Sequence, residues 1–128
     1  MDPGTLDEAP LFASLPEDTK RELAEFVNDT HVESGKHLVE QGDPSYNLFV
    51  ILEGRAEVFR SGHPVAELGP GDFFGEMGAV GDVERSATVV SKNRMRLLTI
   101  STRDVQRLKQ SAPQVLEKLE KAIEERSS

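Results

Sequence analysis

The chain contains no cysteine. That excludes a disulfide framework and any thiolate-based metal or redox centre, and it fits a reducing compartment. Apolar runs are short as well, and none approaches the ~20 residues a helix needs to span a bilayer. The opening Met1-Asp2-Pro3-Gly4-Thr5 lacks the basic-then-apolar character of a secretory leader. A cytoplasmic protein with no membrane span in this chain is therefore expected. Cations are in deficit, with 15 Lys and Arg against 23 Asp and Glu, a formal net charge of −8. Such a field repels nucleic acid, whose binding depends on clustered cations that neutralise phosphates. A small anion would have to be captured by a local basic feature, and Arg85 is one. The remaining cations are scattered, and Arg94 with Arg96 reads as the solvated face of a strand.

At 128 residues the chain fits one domain, large enough to bury a core without staples. Its punctuation divides it into helix, a long β region and helix, with boundaries at 1–27, 28–100 and 101–128. Leu6 to Leu15 reads as a short helical segment with Leu11, Phe12 and Leu15 on one side. Pro16 suits the first turn of the next helix, with Glu17 and Asp18 at its positive end. Leu23, Phe26 and Val27 form that helix's apolar stripe. From Asn28 to Ile100, glycine-containing turns recur at Gly35, Gly42-Asp43-Pro44, Gly54, Gly62, Gly69-Pro70-Gly71-Asp72 and Gly81-Asp82. Between them lie candidate strands at Thr30–Glu33, His37–Glu40, Tyr46–Leu52, Arg55–Phe59, Val65–Leu68, Ser86–Ser91 and Arg94–Ile100. Many short strands with regular turns indicate a sandwich or barrel.

Leu48-Phe49-Val50-Ile51-Leu52 is apolar on both sides and predicts an interior strand. Arg55 to Arg60 is mixed and predicts an edge or an outer face. Ser61-Gly62-His63-Pro64 predicts a hairpin. After Ile100, Ser101 is a good helix N-cap supported by Asp104, and Val105 and Leu108 supply the buried side. Pro113 interrupts after Ser111-Ala112. A last helix then runs from Gln114 to about Arg126, with Val115, Leu116, Leu119 and Ile123 along one stripe.

The chemistry concentrates in Phe73-Phe74-Gly75-Glu76-Met77-Gly78-Ala79-Val80, followed by Glu84-Arg85-Ser86-Ala87-Thr88-Val89. One carboxylate and one guanidinium flank a glycine turn between strand-like runs. Arg85 can meet a phosphate with two parallel charge-assisted hydrogen bonds. Glu76 would repel that phosphate unless it faced a donor such as a sugar hydroxyl. Gly75 lets the backbone turn sharply and approach a ligand, and free N–H groups of a helical turn after it would point at the anion. Taken alone, Glu76 and Arg85 could equally be a solvated surface pair of little energetic weight.

These residues resemble the phosphate-binding cassette of the cyclic nucleotide-binding domain family, F-G-E-L/M-A-L followed by P-R-A/S/T-A-T/S-V. Glu84 stands where many relatives have Pro, and Gly78 and Val80 stand where Ala and Leu are usual. The catabolite-activator branch shows similar residues, so no ligand contact is removed. The similarity extends through Gly42-Asp43-Pro44, the Phe49–Val58 run and Leu68-Gly69-Pro70-Gly71-Asp72-Phe73, spanning roughly residues 10 to 126.

The resemblance implies a mainly β fold, the eight-stranded jelly-roll barrel, with N-terminal helices and C-terminal B and C helices. It implies a single cyclic nucleotide-binding domain over 1–128, with its cassette at 74–89. Glu76 would bind the ribose 2′-hydroxyl of a 3′,5′-cyclic nucleotide and Arg85 its phosphate. Backbone N–H groups near Ala79, Ser86 and Ala87 would help, and Phe74, Gly75, Met77, Gly78 and Val89 would complete the site. Arg126 would lie over the base. The implied function is a non-enzymatic sensor, with cAMP favoured over cGMP as ligand and no cofactor or metal. The alternative is a protein-interaction domain that keeps the fold without the ligand, although the anchors Glu76 and Arg85 are both present. A cupin-type metalloenzyme, which gathers several His and a carboxylate in its barrel, fits less well. His31, His37 and His63 form no H-x-H pair. Relatives carry an effector domain or protein partner; the catabolite activators carry a DNA-binding helix-turn-helix, for which no room is expected before Ser128, so the chain is read as either a standalone module or a segment of something larger. Helix C is long enough to pair with a copy of itself, which leaves a homodimer open.

Overall fold

The computed structural model describes residues 1–40, 47–74, 87–115, 117, 118 and 121. A 3-10 turn, Pro3–Glu8, is capped by Asp2, whose carboxylate accepts from the Gly4 N–H at 2.9 Å. Helix α1, Pro10–Ala13, and helix α2, Glu17–Leu23, follow, with Pro16 at the N-cap of α2 and Glu17 and Asp18 in its first turn. Among the described residues eight strands come next: β1 Asn28–Val32, β2 His37–Val39, β3 Asn47–Glu53, β4 Ala56–Arg60, β5 His63–Leu68, β6 Phe73–Phe74, β7 Thr88–Ser91 and β8 Met95–Ser101. Helix α3, Thr102–Ser111, closes the set of complete elements.

The strands form two antiparallel four-stranded sheets, ordered β1-β8-β3-β6 and β2-β7-β4-β5. Among the described residues, no strand pairing joins the two sheets into the closed barrel expected from the resemblance. Seven of the eight strands match sequence-predicted runs. The eighth, β6, is two residues long and too short to carry a periodic signal.

Alternation on β3 and β8 explains how the first sheet is buried on both faces. Leu48, Val50, Leu52, Leu98 and Ile100 pack with Leu6, Leu11, Phe12, Leu15, Leu23, Phe26 and Val27 of the N-terminal helical segment. Phe49, Ile51, Met95 and Leu97 point the other way and meet Val39, Ala56, Phe74 and Val89 in the space between the sheets. The molecule thus has two apolar layers sharing one wall. Strand β4 lies between β5 and β7 rather than at an edge. Its half-exposed side chains reflect an outer face that no described helix covers. Strand β5 is an edge of that sheet, where Pro64 costs no interior ladder bond, and Ser61 and Gly62 take positive φ in the hairpin before it.

Ser101 caps α3 as expected: its hydroxyl accepts from the Asp104 N–H at 3.2 Å and donates to the Asp104 carboxylate at 3.0 Å. Leu108, Ala112 and Val115 seat this end of the chain in the helix-side layer. The helix ends at Ser111, where Ala112 takes φ −146° ahead of Pro113. Helical backbone resumes at 113–115. The side chains of Val105, Leu116, Leu119 and Ile123 lie outside the described ones.

Candidate functional site

Strand β3 holds the chain that enters the cassette. The Gly71 N–H donates to the Ile51 carbonyl at 3.0 Å, and the Ile51 N–H donates to the Asp72 carbonyl at 2.9 Å. The Asp72 carboxylate accepts from the Gly69 N–H at 2.8 Å and closes the turn. Gly71 sits at φ +91°, which a side chain would resist. Two residues later β6 pairs with β3 at Val50↔Phe73 and Phe49↔Phe74.

The two phenylalanines divide between the layers. Phe73 packs against the helix-side layer, whereas Phe74 is buried between the sheets. The Phe74 ring lies nearly parallel to that of Phe49, with centroids 4.8 Å apart and planes inclined by 9°. On the far side of the cassette, Ala87 is half-exposed, and β7 carries Val89 into the same inter-sheet layer as Phe74. Strand β6 is an edge of the first sheet, and β7 lies inside the second, between β2 and β4. Phe74 and Val89, on either side of the cassette, thus stand on different sheets.

Of the predicted ligand-binding residues, Phe74 and Val89 share one buried layer, and Ala87 stands at the start of β7. Gly75, Glu76, Met77, Gly78, Ala79, Arg85, Ser86 and Arg126 lie outside the described residues.

Arg96 departs from the sequence reading. Rather than lying on a solvated face, it forks onto Asp29, with Nε to Oδ1 at 3.1 Å and Nη2 to Oδ2 at 2.7 Å. Its Nη1 reaches both carboxylate oxygens of Glu8, at 2.9 and 3.1 Å. The hydrogen bonds from Arg96 hold the Asp29 carboxyl below its ordinary range against an opposing desolvation effect. The same bonds raise the Arg96 guanidinium. Arg94 does behave as an exposed cation, 3.6 Å from Glu33. Lys20, in α2, is buried and salt-bridged to Asp7 of the 3-10 turn. On α3, Arg107 lies 4.6 Å over the Phe26 ring and 3.5 Å from Glu25.

Among the described residues, no cluster of three or more His, Asp or Glu could hold a metal ion. His37 faces Glu40 at 3.2 Å, and His31 is 3.8 Å from Asp29. No described helix is long and apolar enough to cross a membrane.

Comparison with known proteins follows the same outline. A family model for the cyclic nucleotide-binding domain matches residues 29–112. A cyclic nucleotide-gated potassium channel of Rhizobium etli is 36% identical over 117 residues, covering 91% of this chain and 33% of the channel. The cAMP-dependent protein kinase regulatory subunit of Yarrowia lipolytica is 32% identical over 107 residues, covering 82% of this chain and 28% of the subunit. Among solved structures, the catabolite activator protein of Thermus thermophilus superposes with a TM-score of 0.81 at 29% identity, covering 92% of this chain and 58% of that one. Both curated relatives are thus much longer than the matched chain, and all three are regulatory or gated proteins. The chain belongs to the cyclic nucleotide-binding domain family.

Proposed function

We propose that this chain is a non-enzymatic sensor that binds cAMP in preference to cGMP and converts binding into movement of its C-terminal helices. The observation that carries the reading is the placement of the cassette's ends. Phe74 and Val89 belong to one inter-sheet layer while standing on different sheets. A ligand held by the segment that joins them would be recognised from both sheets at once.

In this reading Arg85 takes the cyclic phosphate, and N–H groups near Ala79, Ser86 and Ala87 add donors to it. Glu76 accepts from the ribose 2′-hydroxyl, and Arg126 stacks over the base. The Ser86 hydroxyl can also touch guanine, so cGMP binds, but less well. The absence of cysteine fits action in a reducing cytoplasm. Residues 1–128 are read as one domain, and the helix-side layer, which joins Leu6 and Phe12 to Leu108 and Val115, supports that reading. An effector domain or protein partner reads the output.

Coupling requires that the ligand favour one of two states. Phe73 and Phe74 face opposite layers immediately before the cassette, so a shift there is felt by both. Tightening of the loop around phosphate moves Val80, changes the packing near Leu108, and lets the segment beyond Ala112-Pro113 swing over the base.

Isothermal titration of the parent chain and Arg85→Ala with cAMP and cGMP tests the reading. The parent should bind cAMP more tightly than cGMP. Arg85→Ala should lose about 1.5–3 kcal/mol of binding free energy. Equal affinity in parent and variant would remove Arg85 from the phosphate, and no heat from the parent would favour a ligand-independent interaction domain.

A further inference from the structure

We infer that the end of the molecule built from the turns at 33–36, 53–55 and 91–94 is a docking surface for an acidic polypeptide segment. The three turns are tied to one another. The Gly35 N–H donates to the Ser91 carbonyl at 2.7 Å, and the Ser91 N–H donates to the Lys36 carbonyl at 2.9 Å. The Lys92 N–H donates to the Arg55 carbonyl at 2.9 Å, and the Arg55 N–H to the Asn93 side-chain oxygen at 2.8 Å. Beneath them the buried Ser91 hydroxyl accepts from the Lys36 N–H at 2.8 Å and donates to the Glu33 carbonyl at 2.6 Å. Lys36, Arg55, Lys92 and Arg94 are thus carried on one held platform.

All four cations are exposed. Three of them pair loosely: Arg94 lies 3.6 Å from Glu33, and Arg55 and Lys92 lie 3.7 and 3.5 Å from a shared Glu67. Strong charge-assisted bonds are shorter, as the 2.7 Å contact of Arg96 with Asp29 illustrates. Exposed pairs of the loose kind contribute little, so an incoming carboxylate displaces them at small cost. Even with Glu33, Glu53 and Glu67 set against them, the four cations leave this end positive on a chain of formal net charge −8. A Cβ at Gly35 would meet nothing within 4 Å, so the 33–36 turn stands clear of its surroundings.

The acidic remainder of the chain selects the partner. A nucleic acid or an anionic membrane extends past the roughly 8 Å over which the patch's own field persists, and there meets repulsion. A short run of Asp and Glu is no larger than the patch, and its carboxylates match the guanidinium forks of Arg55 and Arg94. Strand β7 runs from Thr88, on the cassette side, to Ser91 in the platform. The surface therefore lies at the end of that strand away from the cassette, and it does not depend on the nucleotide reading.

The test is fluorescence anisotropy of a labelled poly-glutamate peptide at low salt, with an oligothymidylate of similar length and phosphatidylserine vesicles measured in parallel. The parent should bind the peptide more tightly than either of the others. The triple variant Lys36→Gln, Lys92→Gln, Arg94→Gln should weaken peptide binding at least about tenfold. A control, Arg21→Gln, Arg103→Gln, Lys109→Gln, removes the same charge from exposed positions elsewhere. It should stay within about twofold of the parent, because those charges lie beyond the screening length of the patch. The single reversal Lys36→Glu takes the place of the triple variant if the latter does not fold, and should shift affinity in the same direction. No peptide binding by the parent would overturn the inference. So would equal losses in the two triple variants, or tighter binding of the oligothymidylate or the vesicles.

Discussion

Arg96 and Asp29 meet through two near-parallel hydrogen bonds, at 3.1 and 2.7 Å, across the β1–β8 pair. The same guanidinium reaches Glu8 in the 3-10 turn. One side chain thus ties the N-terminal helical segment to both strands of the adjoining sheet edge. The arrangement is planar and bidentate, so lysine is not an equivalent substitute.

Asp29→Asn should lower stability by about 1–2 kcal/mol near neutral pH. Asp29 has a depressed carboxyl pKa in the folded chain, chiefly through the hydrogen bonds from Arg96. Its contribution is therefore complete above the ordinary aspartate value of 3.8 and is lost as pH falls through the lower folded value. Thermal melting from pH 7 down to pH 2 should show the gap between parent and variant closing below that value. A gap that stays constant to the lowest pH would mean the charge of Asp29 is not what Arg96 holds.

Gly54 and Gly35 both have positive φ, at +89° and +82°, yet they should respond differently to alanine. A Cβ on Gly54 would collide with the Arg94 carbonyl oxygen and stand 2.8 Å from Met95 Cγ. At Gly35 nothing lies within 4 Å. Gly35→Ala should cost about 1 kcal/mol through backbone strain alone. Gly54→Ala should cost at least about 3 kcal/mol, because the β3–β4 turn must also move. Urea titration of both variants checks the order, and equal losses would contradict it.

The family model begins at residue 29, whereas the helix-side layer draws heavily on residues before it. Phe12 is fully buried there. Phe12→Ala should destabilise the fold by about 3–5 kcal/mol. Val65→Ala, on the exposed edge strand, should stay within about 0.5 kcal/mol. Denaturant midpoints distinguish the two, and a mild effect at Phe12 would make the N-terminal segment an accessory.

Ser101→Ala removes the side-chain acceptor of the Asp104 N–H at the start of α3. The expected loss is about 1 kcal/mol. Ser101→Asp should restore most of it, since aspartate is also a good N-cap. Melting curves of the two variants provide the comparison, and identical losses would assign the effect to something other than capping.

Local signals carried much of this fold into the sequence reading. The apolar run of β3, the glycine turns, the cap at Ser101 and the break at Pro113 each act within a few residues. What escaped depends on distance along the chain. Arg96 looked solvated because Asp29 and Glu8 lie 67 and 88 residues away. For β4 the mixed composition allowed an edge or an outer face, and it is the outer face that the strand has, because the same composition arises from an interior strand with one open side. The two-residue β6 has no period of its own and exists through its pairing with β3. At the site, the charge pattern of Glu76 and Arg85 pointed to a ligand with a hydroxyl and an anion. The Phe49–Phe74 stack required knowledge of which strand faces which.

The most direct test is a crystal structure of the chain grown with cAMP. The nucleotide is expected between the two sheets, with its phosphate oxygens about 2.7–2.9 Å from Arg85 and its ribose hydroxyl bonded to Glu76. A nucleotide bound elsewhere, or these two side chains turned away from any shared cavity, would contradict it.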